Sequence, residues 1–408
     1  MGGAGRRDGV HRSAAAPGLT AVIPRRRWLR VLLVVLLVVA VAVAWKPSRV
    51  AFQTLALVPS LLDVGPQPLD LAPTPNRISL SYTAVDGLTQ DGDLWLPASA
   101  SADAPVALMV VVYGINPLGL HHPALTRIPD TVARLGVALY IPDLPSLDQE
   151  RLDPAEVGNI VAATETAIGR AEIDPDRVGL IGISAGGSIA LLAAADPALS
   201  LRLSWVAAFG APSEITVLIE NVVAHAYREG EEIVDWLPSR LSRQVIFEML
   251  VSLVPDPADR EGLEQTYRDD FLTSETPIVL SRGAPQFRTP EALGVEALLT
   301  AGSLPQAEAL MAVAPAAVLD LAASLSPLTH AAEIGARVFL MHDRGDHHVP
   351  VAQSQAMAAA LDAAGAEVRY TEFRLFDHVT PDTTDLLGAT PEIWKLFWYL
   401  HAVLMDTL

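Results

Sequence analysis

The sequence predicts an α/β fold: a mostly parallel sheet with helices on both faces, interrupted by a helical insertion and preceded by an apolar segment. Three observations predict it. Short apolar runs rich in Val and Ile alternate with stretches of helical period, which is how strand–helix–strand units read in a parallel sheet. Some of those runs, such as residues 106–113, are unbroken rather than alternating, as strands buried on both faces are. From 214 to 332 the alternation stops and helical pieces separated by Pro and Gly take its place. With 408 residues and 51% apolar composition, the chain can bury a sizeable core.

The elements follow in order. Residues 31–45 (VLLVVLLVVAVAVAW) are uninterrupted apolar, with Arg25, Arg26, Arg27 and Arg30 before them and Lys46 after. With Trp28 and Leu29 the stretch is at the short end for a spanning helix. The arginines predict an inside N-terminus, and their cluster also resembles a twin-arginine export signal. We therefore expect 1–27 to be a basic tail inside the cell and 28–46 a single-pass transmembrane signal anchor, with the rest of the chain extracytoplasmic. The alternative is a signal peptide with a small-residue cleavage site at Ala42-Val43-Ala44 and a secreted product. Residues 47–76, with many prolines and no period, read as a linker.

The sheet begins at 77. Strands are expected at 77–84, 92–96, 106–113, 137–141, 176–183 and 203–209. Asp153-Pro154-Ala155-Glu156 reads as a helix start, with an acidic cap, Pro at the first helical position and Glu three residues after the cap. That helix runs to about Gly169, and the next covers Ala185–Ala195. The first part of the core is thus 77–213 and the insertion 214–332, with helices at Glu214–Arg228, Leu241–Val254, Glu291–Ala301 and Gln306–Ser324. The second part, 333–408, contains strand Arg337–Met341, helix Val351–Ala364, strand Val368–Phe376 and helix Pro391–Met405.

Composition excludes some chemistry. There is no cysteine, hence no disulfide, thiol nucleophile or thiolate metal site. The net charge is −19, opposite to the basic footprint that nonspecific nucleic-acid binding needs. The adjacent His121-His122 pair projects divergent side chains and lacks the spacing that puts metal ligands on one helical face.

Gly182-Ile183-Ser184-Ala185-Gly186 lies where a strand gives way to a helix. G-x-S-x-G functions on a sharp strand-to-helix turn that lifts the hydroxyl out of the sheet, and the flanking glycines leave room for that turn. The plain alternative is a serine capping the helix that starts at Ala185. A serine nucleophile needs a base to take its proton and an acid to orient the base. Both are expected on loops after later strands. Strand 337–341 is followed by HDRGDHHVP (342–350) and strand 368–376 by Asp377-His378-Val379, giving the order Ser, Asp, His.

On these residues the chain resembles the α/β-hydrolase superfamily, over about 77–213 and 333–408, with the insertion where members often carry a cap. The resemblance implies Ser184 as nucleophile, His378 as general base and Asp346 as orienting acid. Asp346 takes its place from the loop pattern H-G-x-x-D-x-x-V-P. Asp343 stands where the family usually has Gly and is the second candidate acid. His347 and His348 are expected to line a pocket or lie exposed on the loop. Oxyanion donors are expected from the N–H of Ala185, at a helix N-terminus, and of Ile115, in the loop after strand 106–113. That loop reads Tyr113-Gly114 where the family often has His-Gly.

The expected function is a membrane-anchored serine hydrolase cleaving a carboxylic ester through an acyl-enzyme, with a small-molecule or lipid ester as substrate. It needs no cofactor and no metal. Trp236, Phe247, Leu250 and Met311 could line its acyl pocket or form the core of the cap. The alternatives are a serine peptidase or acyltransferase of the same fold, or a non-catalytic hydrolase-like binding domain. Peptidases of the superfamily usually carry an extra N-terminal domain, for which 46–76 is short.

Overall fold

The computed structural model describes residues 2–3, 32–40, 45–280, 287–382, 384–385 and 387–408. The chain divides into two compact units, Met1–Arg49 and Val50–Leu408. In the first, residues 32–40 are helical. The remainder of the expected apolar span, 28–31 and 41–44, and nearly all of the expected tail 1–27 lie outside the described residues. Among the described residues no single helix is long and apolar enough to cross a membrane.

The second unit is built on an eight-stranded sheet. Its strands are β1 (Asn76–Ser79), β2 (Gly92–Leu96), β3 (Val106–Val112), β4 (Ala138–Pro142), β5 (Ile173–Ile183), β6 (Trp205–Phe209), β7 (Arg337–Asp343) and β8 (Val368–Phe373). They lie in the order β1-β2-β4-β3-β5-β6-β7-β8. Only β2 runs against the others, antiparallel to β1 and to β4. The chain steps from β3 outward to β4 on one side, then from β5 outward to β6 on the other. Where connections diverge like this, two neighbouring loops part at the carboxyl ends of the strands and leave a crevice. Here those loops follow β3 and β5, and they carry Ile115 and Ser184.

The helices bring several departures from the expected pattern. Residues 47–76, read as a linker, begin with a helix, α1 (Lys46–Leu62), that buries Val50, Thr54, Leu57, Val58 and Leu62. These positions recur at helical spacing, but Pro47 and Pro59 masked the period. A further helix, α2 (Ala124–Ala133), follows β3; Pro123 and Pro129 hid it in the same way. His122 accepts from the N–H of Ala124 through Nδ1 at 3.2 Å, so the histidine pair belongs to this helix start. Next come α3 (Ala155–Ile168) and α4 (Ala185–Ala195). Glu156 is not half of a capping box. Its buried carboxylate accepts from Ser146 N–H at 3.2 Å and Asn159 Nδ2 at 2.8 Å, tying α3 to the loop after β4. Behind β7 and β8 lie α11 (Ala352–Ala363) and α12 (Thr390–Thr407).

The insertion leaves the sheet at Ser213 and comes back at Leu328, whose N–H donates to the Ser213 carbonyl at 3.0 Å. Gln353 holds the exit by accepting from the N–H groups of Ser213 and Glu214 at 2.8 and 2.9 Å. The cap has its own apolar core, built by α5 (Ile215–Ala224), α6 (Arg240–Ser252), α7 (Pro257–Thr273), α8 (Pro290–Leu299), α9 (Leu304–Met311) and α10 (Ala316–Ser324). Three expectations are corrected. The first helix stops at Ala224 because His225 turns left-handed (φ 50°), and Ala226–Glu229 then pairs with Glu232–Asp235 as a hairpin. The helix expected over 306–324 is two, bent by 100° between Met311 and Ala316; Pro315 disfavours helical backbone at the residue before it. Finally, α7 was not anticipated. It is polar apart from a narrow buried stripe of Leu263, Tyr267 and Phe271, too thin to register as a period.

Within α5, burial and the neighbouring Glu308 and Glu214 push the Glu220 carboxyl up to about 7. A carboxyl with a raised folded pKa contributes stability that is complete below its unfolded pKa and lost as pH rises through the folded one. Glu220→Gln removes that loss. We expect the variant to be more stable than wild type at pH 8, by about 1 kcal/mol given the screening of a half-exposed site, and equal to it at pH 4. Denaturant midpoints at the two pH values test this, and equal midpoints at pH 8 would refute it.

Candidate active site

Ser184 sits at the carboxyl end of β5, on the turn into α4, with φ 54° and ψ −129°. That region is disfavoured for any residue with a Cβ. The turn is held by Ser184 N–H donating to Phe209 O and Gly187 N–H to Ser184 O, each at 2.8 Å. It works because α4 lies almost against β3: a Cβ on Gly186 would come within 2.2 Å of the Tyr113 carbonyl oxygen. A Cβ on Gly182 would meet Gly186 O at 2.4 Å. The Ser184 side chain makes no capping hydrogen bond to α4, so the helix-cap alternative does not describe this serine.

Asp346 and His378 come together as the order Ser, Asp, His requires. His378 Nδ1 and Asp346 Oδ2 are 2.6 Å apart and both residues are buried. The other carboxylate oxygen, Oδ1, accepts from the N–H groups of His348 and Val349 at 2.6 and 3.0 Å. A second imidazole, His342 Nε2, lies 3.2 Å from Oδ2. Burial alone would raise the Asp346 pKa, but the bonds from His342 and His378 outweigh it and hold the carboxyl well below the usual range. Asp346 therefore stays ionised, as an acid that orients a histidine must.

His378 presents its remaining nitrogen, Nε2, buried and without a hydrogen-bond partner. The ring packs on Gly210, where an added Cβ would lie 3.0 Å from Cε1. Gly210 directly follows Phe209, the residue that pairs with Ile183 and holds the Ser184 N–H. The serine and the histidine thus flank the end of β6.

The second candidate acid, Asp343, has other partners. Asp343 accepts from the N–H groups of Gly345, Leu375 and Phe376 at 2.8, 2.7 and 2.8 Å. It braces the segment after β8 that delivers His378, and makes no bond to the imidazole. His347 is exposed, while His348 is half-buried and stacks on His378 with centroids 4.5 Å apart. Burial, then the neighbouring His378, lowers the His348 pKa, so this ring adds no positive charge beside the base at neutral pH. Asp346, His348 and His378 also present three potential metal ligands within 4.8 Å. The cluster fits a metal poorly, since both Asp346 oxygens already accept hydrogen bonds.

Ala185 opens α4, where the first N–H groups have no intrahelical acceptor. Among the described residues no hydrogen bond occupies the N–H of Ile115, and the preceding Gly114 is pressed against the serine: a Cβ there would be 2.8 Å from Ser184 Cβ. Tyr113, in place of the usual histidine, is buried, accepts from Leu144 N–H at 2.8 Å and meets Asp148 Oδ1 at 3.0 Å. Its hydroxyl fixes the loop after β4, while the backbone at Gly114 lies against Ser184.

The structure decides between the two readings of the apolar cap residues. Trp236, Phe247, Leu250 and Met311 are all buried in the cap's own core, so they do not furnish an acyl pocket. A cavity of about 490 Å³ lies between residues 150–153 and the cap helices α6 and α7, lined by Glu150, Arg151, Glu248, Glu264 and Arg268 among others. None of Ser184, Asp346 or His378 lines it. Reading the sequence gave His342 no role, although it opens the loop pattern that singled out Asp346, and missed Gly210.

The sheet, the elbow and the partner order are those of the α/β-hydrolase fold that the sequence resembles. No protein-family model matches the chain, and no curated protein matches it. Among solved structures it is similar to Pyrococcus horikoshii acylaminoacyl peptidase, at 14% identity and TM-score 0.49 over 84% of this chain and 43% of that one. It is also similar to dipeptidyl peptidase 4 of Porphyromonas gingivalis (11%, TM-score 0.46, 80% and 36%). A third is a puromycin-hydrolyzing peptidase of Mycobacterium tuberculosis (17%, TM-score 0.43, 76% and 36%). The chain spans about two-fifths of the length of these proteins.

Proposed function

We propose that this protein is a serine hydrolase that cleaves an acyl bond through Ser184, His378 and Asp346. One observation carries the reading: Ser184 is held in a strained turn at the switch point of the sheet, beside a buried Asp346–His378 pair whose Nε2 is unpartnered. In the mechanism this implies, Nε2 takes the hydroxyl proton as Ser184 Oγ attacks the substrate carbonyl. Asp346 keeps the proton of His378 on Nδ1 and stabilises the imidazolium. The N–H groups of Ala185 and Ile115 receive the oxyanion. His378 returns the proton to the leaving group, and water repeats the sequence on the acyl-enzyme.

The substrate proposal is broader than the carboxylic ester expected from sequence. That expectation rested on the membrane address and the apolar composition of the cap, and the apolar residues named there pack in the cap's own core. Peptide-like amides belong in the same screen as esters, being what several of the similar proteins are named for. The test is an organophosphonate probe on the full chain. We expect one probe per chain, on the peptide containing Ser184; a folded protein left unlabelled would rule the reading out and favour a binding domain.

Anchoring by residues 28–46, with the hydrolase unit on the outer side, remains part of the proposal and rests on the apolar run and its arginines. The expected result is a full-length chain that stays with membranes through alkaline carbonate washing and is digested by protease added outside. Release by the wash would overturn the anchor.

A further inference from the structure

The cap grips the loop that carries Asp346 through an ion pair and hydrogen bonds from one short segment, residues 229–242. Glu229 of the cap hairpin pairs with Arg344. The buried indole N–H of Trp236 donates to the main-chain oxygen of Asp346 at 2.8 Å. The backbone N–H of Ser239 donates to His347 O at 2.6 Å, and the hydroxyl of Ser242 to His348 O at 2.9 Å. Three successive carbonyls thus take three donors from residues 236–242.

Those carbonyls share peptide planes with the groups that hold the carboxylate. The oxygen of His347 and the N–H of His348 belong to one plane; the oxygen of His348 and the N–H of Val349 belong to the next. Ser239 and Ser242 donate to the oxygens, while both N–H groups donate to Asp346 Oδ1. A planar peptide cannot turn one end without the other, and a hydrogen bond at its oxygen polarises its N–H. The cap therefore acts on the Asp346 carboxylate through two rigid plates, with Trp236 fixing the carbonyl just before them.

We propose that Trp236, Ser239 and Ser242 are positioning residues for the acid of the triad, so that the cap orients Asp346, and through it His378, as well as covering the site. The inference rests on the serine-hydrolase reading and assigns the cap a part in the chemical step. A cap segment displaced by ligand or partner would misalign the base with no change at Ser184.

The test uses the full chain and the rate of organophosphonate inactivation. Trp236→Phe keeps the ring and removes its N–H; Ser242→Ala removes the hydroxyl. Asp256→Ala is the control. It deletes the N-cap of α7, which accepts from Ala258 and Asp259 N–H, and weakens the cap without touching residues 346–348. Misplacing a catalytic group by a fraction of an ångström costs about tenfold and by 1 Å about a hundredfold. We therefore expect kinact to fall ~10-fold in each single variant and ~100-fold in the double, with KI unchanged. The acid limb of the pH profile should move to lower pH, because a misaligned carboxylate stabilises the imidazolium less. The low-field proton resonance of the His378–Asp346 bond should shift or vanish. Asp256→Ala should lower the melting temperature and leave kinact and the resonance alone. A folded double variant with wild-type kinact and pH profile overturns the inference, as does a loss that Asp256→Ala reproduces. A wild type that is never labelled overturns the serine-hydrolase reading itself, and the inference falls with it.

Discussion

Ser184→Ala is expected to lower turnover of any acyl substrate by ~10⁴- to 10⁶-fold, the range that removal of a triad nucleophile gives, while the fold is retained. The structure adds a second expectation that activity alone would not. Alanine keeps the Cβ that makes φ 54°, ψ −129° unfavourable, so Ser184→Ala leaves the strain in place. Ser184→Gly removes it and should be more stable than Ser184→Ala by about 1 kcal/mol, the scale of one strained residue. Both variants should be equally inactive. The strain is sustained by the close fit of Gly182 and Gly186 against their neighbours and by the two backbone bonds of the turn. Residual turnover near wild type in Ser184→Ala would place the nucleophile elsewhere. A glycine variant no more stable than the alanine one would mean that the elbow stores no strain.

Much of this arrangement is legible in the sequence, for reasons particular residues show. β3 is a continuous apolar run, as are the inner parts of β5 (178–183) and β7 (338–341), because both faces of the sheet are covered, and such runs stand out. The elbow was legible because its chemistry is local: serine and glycines must be adjacent in sequence to make the turn. Asp346 and His378, which the fold brings to 2.6 Å, could be picked by order along the chain, since each loop follows a readable strand. What stayed hidden depends on tertiary contacts, some near along the chain and some far. His342 joins the site through Asp346 and Ser354, its Nδ1 lying 2.7 Å from the Ser354 hydroxyl. Gly210 matters only because His378 rests on it. Trp236 looked like an apolar residue for lining a pocket, yet its consequential atom is the indole nitrogen, bonded 110 residues away. The helices α1, α2 and α7 were hidden by prolines or by a polar surface, where tertiary burial rather than local period decides the structure.

Asp346→Asn and Asp343→Asn separate the two carboxylates by what each accepts. In Asp346→Asn the amide oxygen can still serve the N–H groups of His348 and Val349, which leaves the NH₂ facing His378 Nδ1. That nitrogen must then accept, so the ring proton moves to Nε2 and the base can no longer take the serine proton. We expect a fall of ~10⁴-fold in turnover from this tautomer change, with the Ser184 turn intact. Asp343→Asn places an NH₂ against backbone donors where two carboxylate oxygens now accept three N–H groups. Its main effect is a stability loss of about 1–3 kcal/mol for the unsatisfied buried group, with activity falling through displacement of residues 374–378. The pH dependence discriminates further. The Asp346 carboxyl is depressed by its histidine partners once burial is outweighed. A depressed carboxyl contributes stability that is present above its unfolded pKa of about 3.9 and lost as pH falls toward the folded value. The stability difference between wild type and Asp346→Asn should therefore be largest near neutrality and shrink below about pH 4. Denaturant titrations at pH 7 and pH 3 measure it. If the difference is the same at both, Asp346 is not held ionised by His378 and His342. If Asp343→Asn instead shows the ~10⁴-fold loss with stability unchanged, the acid is Asp343 and the hydrogen bond to His378 does not survive in solution.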